Sequence, residues 1–302
     1  MSPPNRADAP GIAGREAAPA KINLALHVRG RRPDGYHDLD SLVVFAPPMD
    51  EVEAAATAQG FTLAVEGPLA AGLAATAAED NLVLRAARLM AAEARYAGGV
   101  ALRLTKRLPV GAGLGGGSAD AAATLRLLHR LWHDRVDAAR VAALAEQLGA
   151  DVPMCLQSRP LRAGGKGETL TPVAGFPALW IVLAHPAVPV GTAAVFRRLA
   201  DPADPPLPPL PTSPRLSPGD IVTWLGASAN GLTAAACLEA PVIGDVLQAI
   251  AAQPRNLVAR MSGSGSTCFG IFPDRTAAES AAARLAQDHR DWWIVATATL
   301  PS

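Results

Sequence analysis

The sequence predicts an α/β or α+β protein with two regions. An alternating stretch over 21–28, K-I-N-L-A-L-H-V, has the period of two that half-buried strands show. A second alternating stretch, over 100–108, leads into a glycine-rich loop and then into a helical segment. A short apolar strand over 179–184 starts a further set of strands and helices. This order is typical of domains that layer helices on sheets.

The segment before the glycine loop contains a turn and a candidate polar face. Lys21 and Asn23 are two residues apart, so they lie on the same face of the first strand. The tripeptide at 33–35, P-D-G, is a turn signal, and the apolar run 42–45 follows it. We therefore expect a hairpin or a protruding loop between two strands.

Capping residues predict helices in this region. Asp80 and Asn81 can cap a helix that runs to about 96, and Ser118 can cap the helix after the glycine loop, which runs to 132. A further helix is predicted over 137–149.

The second region alternates in the same way, and proline interrupts it once. The segment 201–218 is dominated by proline, which predicts an extended surface loop rather than a packed element. The remaining predicted elements are a helix over 241–252, a small-residue turn and strand over 261–272, a helix over 276–288 and a strand over 292–299.

Composition narrows the classes of function. The 302 residues contain 27 basic and 27 acidic side chains, and a nucleic-acid-binding protein usually carries a basic excess. Cys155, Cys237 and Cys268 have no metal-ligand spacing and are expected to be buried free thiols. We expect no signal peptide and no membrane-spanning segment, because the first 14 residues have no apolar run flanked by basic residues and no apolar stretch approaches membrane-spanning length. We expect a cytoplasmic protein with no nucleic-acid or membrane partner, either a monomer or a homodimer.

The loop over 109–118, P-V-G-A-G-L-G-G-G-S, places five glycines between a strand and a helix. Glycines let several backbone N–H groups converge on an anion, and the helix start adds its own N–H groups. Alternatives remain open. Residues 111–116 fit the dinucleotide-binding pattern G-x-G-x-x-G, and the loop could also be a turn without a ligand. It is not a P-loop, since no lysine follows the glycines.

Three motifs resemble those of the galactokinase, homoserine, mevalonate and phosphomevalonate (GHMP) kinase superfamily. The loop, continued as S-A-D-A-A, resembles its phosphate-binding motif. P-A-K-I-N-L-A-L-H-V over 19–28 resembles its first motif, and M-S-G-S-G-S-T-C-F over 261–269 resembles its third. Three motifs in the right order favour an ATP-dependent kinase over the alternatives.

The resemblance implies an α+β fold of two domains. The N-terminal domain is expected to be similar to ribosomal protein S5 and the C-terminal domain to be ferredoxin-like, with the active site in the cleft between them. We place a disordered leader at 1–14, the N-terminal domain at 15–163 and the C-terminal domain at 164–302. The implied ATP-binding residues are Pro109, Val110, Gly111, Ala112, Gly113, Leu114, Gly115, Gly116, Gly117, Ser118 and Ala119.

Further stretches resemble one branch, whose members phosphorylate the 2-hydroxyl of 4-diphosphocytidyl-2-C-methyl-D-erythritol in the non-mevalonate isoprenoid pathway. They are G-R-R-P-D-G-Y-H over 30–37, L-G-A-D-V-P over 148–153 and H-P-A-V-P-V-G-T-A-A-V-F over 185–196. The resemblance implies Asp151 as the catalytic base and Lys21 as its cationic partner. Without it, Asp151 could be a helix cap and Lys21 a solvated surface residue. ATP and Mg²⁺ are the implied cofactors, and no protein ligand to the metal is identified.

The same resemblance assigns substrate contacts. Tyr36 is expected to stack on cytosine, His37 to hydrogen-bond its edge and Phe196 to oppose Tyr36, although a core role for Phe196 is about as plausible. Asn23 and Thr192 are expected to make polar contacts with the substrate. The third motif, expected at the phosphate site, comprises Ser262, Gly263, Ser264 and Gly265.

Two departures from the family pattern bear on these expectations. Asp120 stands where many members have asparagine, and N-G-L-T over 230–233 stands where we expect N-D-L-E, so no role is assigned to that stretch. The alternatives are a mevalonate or homoserine type of kinase, a nicotinamide-dependent oxidoreductase and an RNA-binding protein. The Tyr36–His37 pair disfavours the first, and the balanced charge disfavours the last.

Overall fold

A computed structural model describes residues 14–73, 81–132, 135–199 and 202–302. They form two compact units, each made of several stretches of chain. The first unit takes 14–18, 50–107 and 117–156, and the second takes 19–49, 108–116 and 157–302. Both units therefore draw on the N-terminal half of the sequence, and the expected domain boundary at 163/164 stays a prediction. Residues 1–13 of the expected leader lie outside the described residues, and Gly14 begins the first strand.

The secondary structure mixes strands and helices throughout. The strands are β1 (Gly14–Arg31), β2 (His37–Thr57), β3 (Phe61–Glu66), β4 (Gly99–Thr105), β5 (Leu161–Gly165), β6 (Thr169–Pro172), β7 (Trp180–His185), β8 (Val258–Met261), β9 (Cys268–Phe272) and β10 (Trp293–Ala298). The helices are α1 (Leu82–Glu93), α2 (Gly116–Leu131), α3 (Ala138–Leu148), α4 (Val152–Gln157), α5 (Thr192–Arg197), α6 (Pro218–Gly226), α7 (Thr233–Glu239), α8 (Val242–Ala251) and α9 (Arg275–Asp288). The predicted α+β class is confirmed.

In the first unit, β4 lies between two neighbours. It pairs in parallel with β3 and antiparallel with the second half of β2. Asn81 caps α1 as predicted, because its Oδ1 accepts from the Val83 N–H at 2.9 Å; Asp80 lies outside the described residues. The helix ends at Glu93, three residues before the predicted end, and Arg95 then takes a positive φ of 47°.

In the second unit, β1 and β2 form the predicted hairpin, and Gly35 of the P-D-G turn has φ 85°. The expectation that residues 21–28 form a half-buried strand is wrong. β1 spans 18 residues and is buried on both faces from Ala18 to Val28. Ile22 and Leu24 pack in one apolar cluster, and Leu26 and Val28 pack in another. The polar residues Lys21, Asn23 and His27 are therefore enclosed rather than solvated.

The second unit also contains a four-stranded antiparallel sheet with the order β10-β7-β9-β8. Alternate residues of β7 enter two cores: Ile181 and Leu183 pack in one cluster, and Val182 and Ala184 in the other. Coverage on both faces explains why this strand is an unbroken apolar run. The helices α8 and α9 contact this sheet.

The proline-rich segment is an irregular and largely exposed loop, as its composition predicted, but two buried leucines anchor it. Leu207 and Leu216 are buried, and the Leu207 N–H donates to Asp40 Oδ2 at 2.9 Å. Arg162 donates to the Leu207 carbonyl at 2.8 Å and pairs with Asp40. Polar partners that are distant in the sequence therefore hold this segment in place. Asp201 lies outside the described residues.

Two sequence expectations about side chains and spans can be checked. Cys155 and Cys268 are buried free thiols, but Cys237 is only half-buried. Among the described residues, no helix combines the length and apolar character that crossing a membrane requires.

Candidate nucleotide and substrate site

The glycine loop adopts backbone conformations that favour glycine. Gly111, Gly113 and Gly115 have φ values of 70°, 74° and 64°, in the left-handed region that favours glycine. A Cβ added to Gly113 would lie 2.5 Å from the Gly265 carbonyl oxygen. The loop thus approaches the third-motif turn, residues 262–267, backbone to backbone.

Hydrogen bonds join the three sequence motifs within the second unit. The Lys21 N–H donates to the Leu114 carbonyl at 2.9 Å, which ties β1 to the loop. The Thr267 N–H donates to the Ala112 carbonyl at 3.1 Å, which ties the turn to the loop. The Asn23 N–H donates to Ser262 Oγ at 3.1 Å, which ties β1 to the turn. Motifs more than 200 residues apart therefore form one connected structure.

The side chains of Lys21 and Asn23 are oriented by a buried polar chain. Lys21 Nζ donates to Asn23 Oδ1 at 3.1 Å, and both residues are at most 6% exposed. Asn23 Nδ2 donates to Ser41 Oγ at 2.8 Å, and Ser41 donates to the Ala25 carbonyl at 2.7 Å. These hydrogen bonds fix which way the asparagine amide faces, so its oxygen points to the lysine.

The end of the glycine motif lies inside a helix. α2 begins at Gly116, so Ser118 lies in its first turn and does not cap it as predicted. The adjacent Ala119 is buried and packs into the first unit. The Ser118 hydroxyl and the first N–H groups of α2 are therefore at a helix start, where anions are favoured.

The first unit contains a buried ionic cluster. Lys106 Nζ donates to Asp120 Oδ2 at 2.9 Å and also to Asp50. Burial raises the pKa of Asp120 to about 7; the Lys106 charge opposes this rise and the Asp50 carboxylate adds to it. Although burial opposes its charge, the two carboxylates hold the pKa of Lys106 above its ordinary value. Asp120 Oδ1 is buried without a hydrogen-bond partner among the described residues.

Asp151 lies at the junction of α3 and α4, in the first unit. Gly149, with φ 158° and ψ 159°, ends α3. The Cys155 N–H donates to the Asp151 carbonyl at 3.1 Å, so Asp151 begins the short helix α4 with its side chain half-buried. The predicted helix over 137–149 is confirmed as α3, with Asp137 as its cap.

The expected base-reading residues lie in the second unit. Tyr36 is 58% exposed, which is unusual for a ring with a purely structural role. His37 stacks on Phe196 with ring centroids 4.8 Å apart, and Phe196 also packs against an apolar cluster. Burial, and then the nearby Arg31 cation, lower the pKa of His37, which favours a neutral ring with one donor and one acceptor.

Thr192 begins α5 and contacts the third-motif turn. Its Oγ1 is 2.9 Å from Ser264 Oγ, and the two hydroxyls share a hydrogen bond. The structure therefore brings Lys21, Asn23, Thr192, the loop and the third motif into one hydrogen-bonded region of the second unit.

Family models match both parts of the chain. The GHMP kinases N terminal domain matches residues 81–159, and the GHMP kinases C terminal domain matches residues 217–291. The chain belongs to the GHMP kinase family. Members of this family are ATP-using kinases, and this GHMP kinase has the fold class that its sequence predicted.

Curated relatives of this GHMP kinase cover nearly the whole chain. The 4-diphosphocytidyl-2-C-methyl-D-erythritol kinase of Rhodospirillum rubrum is 47% identical, with 93% of this chain and 91% of the relative aligned. The enzyme of the same name from Cereibacter sphaeroides is 50% identical, with coverage of 92% and 96%.

Solved structures give the same family. A crystal structure of 4-(cytidine 5'-diphospho)-2C-methyl-D-erythritol kinase has a TM-score of 0.76 and 34% identity, covering 95% of this chain and 100% of that one. Homoserine kinase from Cytophaga hutchinsonii has a TM-score of 0.69 at 18% identity, covering 99% and 98%. The second likeness shows the fold alone.

One residue that no motif had singled out holds the third-motif turn of this GHMP kinase. Asn230 is buried, and its Nδ2 donates to the Met261 and Gly263 carbonyls, both at 2.8 Å. Its Oδ1 accepts from the Leu232 N–H at 2.9 Å. The sequence signal was an asparagine that matches the family pattern in a stretch that departs from it at 231 and 233, and its role became clear only from its tertiary partners.

Proposed function

We propose that this protein transfers the γ-phosphoryl group of ATP to the 2-hydroxyl of 4-diphosphocytidyl-2-C-methyl-D-erythritol. The observation that carries the proposal is the set of near-full-length relatives of that name at 47–50% identity. The joined motifs of the second unit support it, since they combine a glycine loop with a buried lysine. Isoprenoid precursor synthesis by the non-mevalonate route is the process it would serve.

The loop residues would bind the nucleotide. Pro109 would begin the ATP-binding segment, backbone N–H groups of residues 110–119 would hold the ATP phosphates, and the start of α2 would add a favourable dipole. The third-motif turn would line the same site through Ser262, Gly263, Ser264 and Gly265, because it approaches Gly113 closely. Ser118 would offer a hydroxyl to the phosphates.

Asp151 would accept the proton of the substrate hydroxyl, an assignment that rests on the family resemblance of residues 148–153. Lys21 would offset the negative charge that develops on the attacking oxygen. Its hydrogen bond to Asn23 would hold the ammonium in one orientation. Asp151→Ala should reduce turnover by about 1,000-fold, as loss of a general base does, while ATP still binds.

Mg²⁺ would accompany the nucleotide and offset the charge of its phosphates. It commonly keeps several waters and uses phosphate oxygens with one or two carboxylates. Among the described residues, no cluster of three or more acidic, histidine or cysteine side chains could hold a metal on its own. We assign the metal no protein ligand.

Tyr36, His37 and Phe196 would recognise the cytosine base, with Thr192 as a polar contact. The Tyr36 ring is exposed and can stack on a base, and a neutral His37 can hydrogen-bond the base edge. Tyr36→Ala should raise KM for the cytidylated substrate at least tenfold and leave KM for ATP within about twofold. Equal losses for both substrates would contradict this role.

One assay tests the whole proposal. The protein is incubated with ATP, Mg²⁺ and a panel of alcohols that includes the cytidylated substrate, mevalonate and homoserine, and ADP release is measured. We expect release only with the cytidylated alcohol. ADP release only with mevalonate or homoserine would contradict the proposal and assign the protein to another branch of the family.

A further inference from the structure

His185 is a buried histidine that the reaction described above does not use. It is the last residue of β7, pairs with Trp293 of β10 in the sheet and is 4% exposed. Burial lowers the pKa of His185 to about 4, so the ring is neutral at physiological pH. A neutral imidazole has one donor and one acceptor nitrogen, so its contacts must select a tautomer.

The contacts of Ser266 decide that tautomer. Its Oγ donates a short hydrogen bond to the Val188 carbonyl and lies 3.1 Å from His185 Nδ1. A hydroxyl has a single hydrogen, and here the Val188 carbonyl takes it. The hydroxyl must therefore accept from the ring, which places the histidine proton on Nδ1.

Ser266 connects the third-motif turn with the stretch between β7 and α5. It lies in the third-motif turn, whereas Val188 lies in the stretch between β7 and α5 that leads to Thr192. The same two segments meet again where Thr192 contacts Ser264 at 2.9 Å. A Cβ on Gly111 would be 3.4 Å from Pro189, so this stretch also borders the glycine loop.

We propose that His185 is a positioning residue of the kinase: its Nδ1–H holds Ser266, and Ser266 holds Val188, so that the third-motif turn and residues 186–191 keep one spacing around the glycine loop. His185 itself does not contact the nucleotide. The inference rests on the proposed role of the third-motif turn at the phosphates. It predicts that the position of the donor nitrogen, more than side-chain volume, sets the affinity for ATP.

Matched substitutions separate these effects. His185→Asn places an amide nitrogen near the position of Nδ1, whereas His185→Gln places it near that of Nε2, and His185→Phe keeps a ring without a donor. We expect KM for ATP to stay within about threefold in H185N and to rise about tenfold in H185Q and H185F, the order of one lost buried hydrogen bond. We expect kcat to change less than KM in all three.

A double-mutant cycle tests the path through Ser266. Ser266→Ala removes the acceptor, so adding His185→Phe should raise KM no further. Thermal unfolding of every variant is measured in parallel. The proposal would be overturned if KM for ATP rose in parallel with the loss of thermal stability and were as high in H185N as in H185Q. That result would show that His185 has only a structural role.

A separate variant distinguishes this inference from the proposed site. Ser264→Ala reports on the turn without altering His185. Unchanged KM for ATP in H185Q and H185F overturns the inference. In that case a raised KM in S264A leaves the proposed role of the turn standing, whereas an unchanged KM in S264A removes that role as well.

Discussion

The glycine loop and the proline-rich segment are both irregular, but they are shaped by different forces. In the loop, Gly111, Gly113 and Gly115 take left-handed φ values that their own residue type permits. In the proline-rich segment, partners elsewhere hold the backbone: Asp40 and Arg162 hold Leu207, and His27 lies 2.7 Å from the Pro205 carbonyl. A backbone conformation that depends on residue type can be predicted from the sequence, whereas contacts with distant residues cannot.

The largest expected effect comes from filling the space beside the loop. Gly113→Ala would place a methyl group 2.5 Å from the Gly265 oxygen at a strained φ of 74°. We expect kcat/KM for ATP to fall about 100-fold or more, since displacements near 1 Å can cost that much. Steady-state kinetics measures it.

The matched control for that variant is Gly244→Ala in α8. A Cβ at Gly244 meets no atom within 4 Å, and an alanine favours a helix. We expect unchanged kinetics and slightly higher stability. Wild-type activity in G113A would show that the loop tolerates a side chain at this position. It would then contradict the conclusion that the loop depends on its glycines.

A pH-dependent effect is expected in the buried ionic cluster of Lys106, Asp50 and Asp120. Because the pKa of Asp120 is raised to about 7, the folded protein binds its proton more tightly than the unfolded chain does. Its contribution to stability is fully present below about pH 4 and is lost as pH rises towards 7, by at most about 1.4 kcal/mol per pH unit. Asp120→Asn should remove this slope, so urea unfolding of the two proteins should diverge between pH 4 and pH 7. Parallel pH profiles would contradict the assignment.

The proline-rich segment should be loosened by removing Asp40. Although burial opposes ionisation, hydrogen bonds from Arg162 and the Leu207 N–H hold the pKa of Asp40 below its usual range. Asp40→Ala leaves Arg162 without this partner, and we expect about 3 kcal/mol lower stability at pH 7 by urea unfolding. Since the folded pKa is lowered, this difference should shrink as pH falls below about 4.

The control for Asp40 is an exposed ion pair. Arg275 and Glu279 are an i, i+4 pair on α9 with both side chains more than half exposed. Glu279→Ala should change stability far less than Asp40→Ala. Equal losses of stability in the two variants would show that the Asp40 contacts stabilise the protein no more than an exposed ion pair does.

The smallest effect tests how closely the segment docks at Gly231. A Cβ there would lie 2.0 Å from Asp204 Oδ2, which accepts from the Val28 N–H. Gly231→Ala should cost about 2 kcal/mol, in the range of overpacked sites. Thermal unfolding in an Asp204→Gly background should show a smaller cost for the same change. The same penalty in both backgrounds would mean that Asp204 is not what excludes the side chain.

This last contact also bears on the departure at 230–233. The family pattern expects aspartate where this chain has Gly231, and here the Asp204 carboxylate occupies the space beside that position. Asn230, by contrast, keeps three hydrogen bonds and secures the third-motif turn. The stretch therefore keeps the asparagine of the family pattern and replaces its aspartate with glycine. Comparison of the sequence with the family pattern did not assign different roles to these two positions.

Several features followed from the sequence alone. The strands predicted over 21–28 and 179–184, the P-D-G hairpin and the helix cap at Asn81 depend on local propensity, so they were predictable, whereas β3, β5, β6 and α6 were not predicted. The family was predictable because three motifs occurred in the right order. The family pattern also marked Asp120 as a departure, without indicating that it would share Lys106 with Asp50.

Tertiary structure decided the environments. Alternation over 21–28 indicated a half-buried strand, but packing on both sides enclosed Lys21 and Asn23 and made their mutual orientation a matter of hydrogen bonding. Ser118 looked like a cap until the helix was seen to start at Gly116. Residue type and spacing determine what a short segment can do by itself. The burial of a side chain, its hydrogen-bond partners and its neighbouring charges come from residues far away in the chain. These contacts decided which conformation and environment each segment has in this protein.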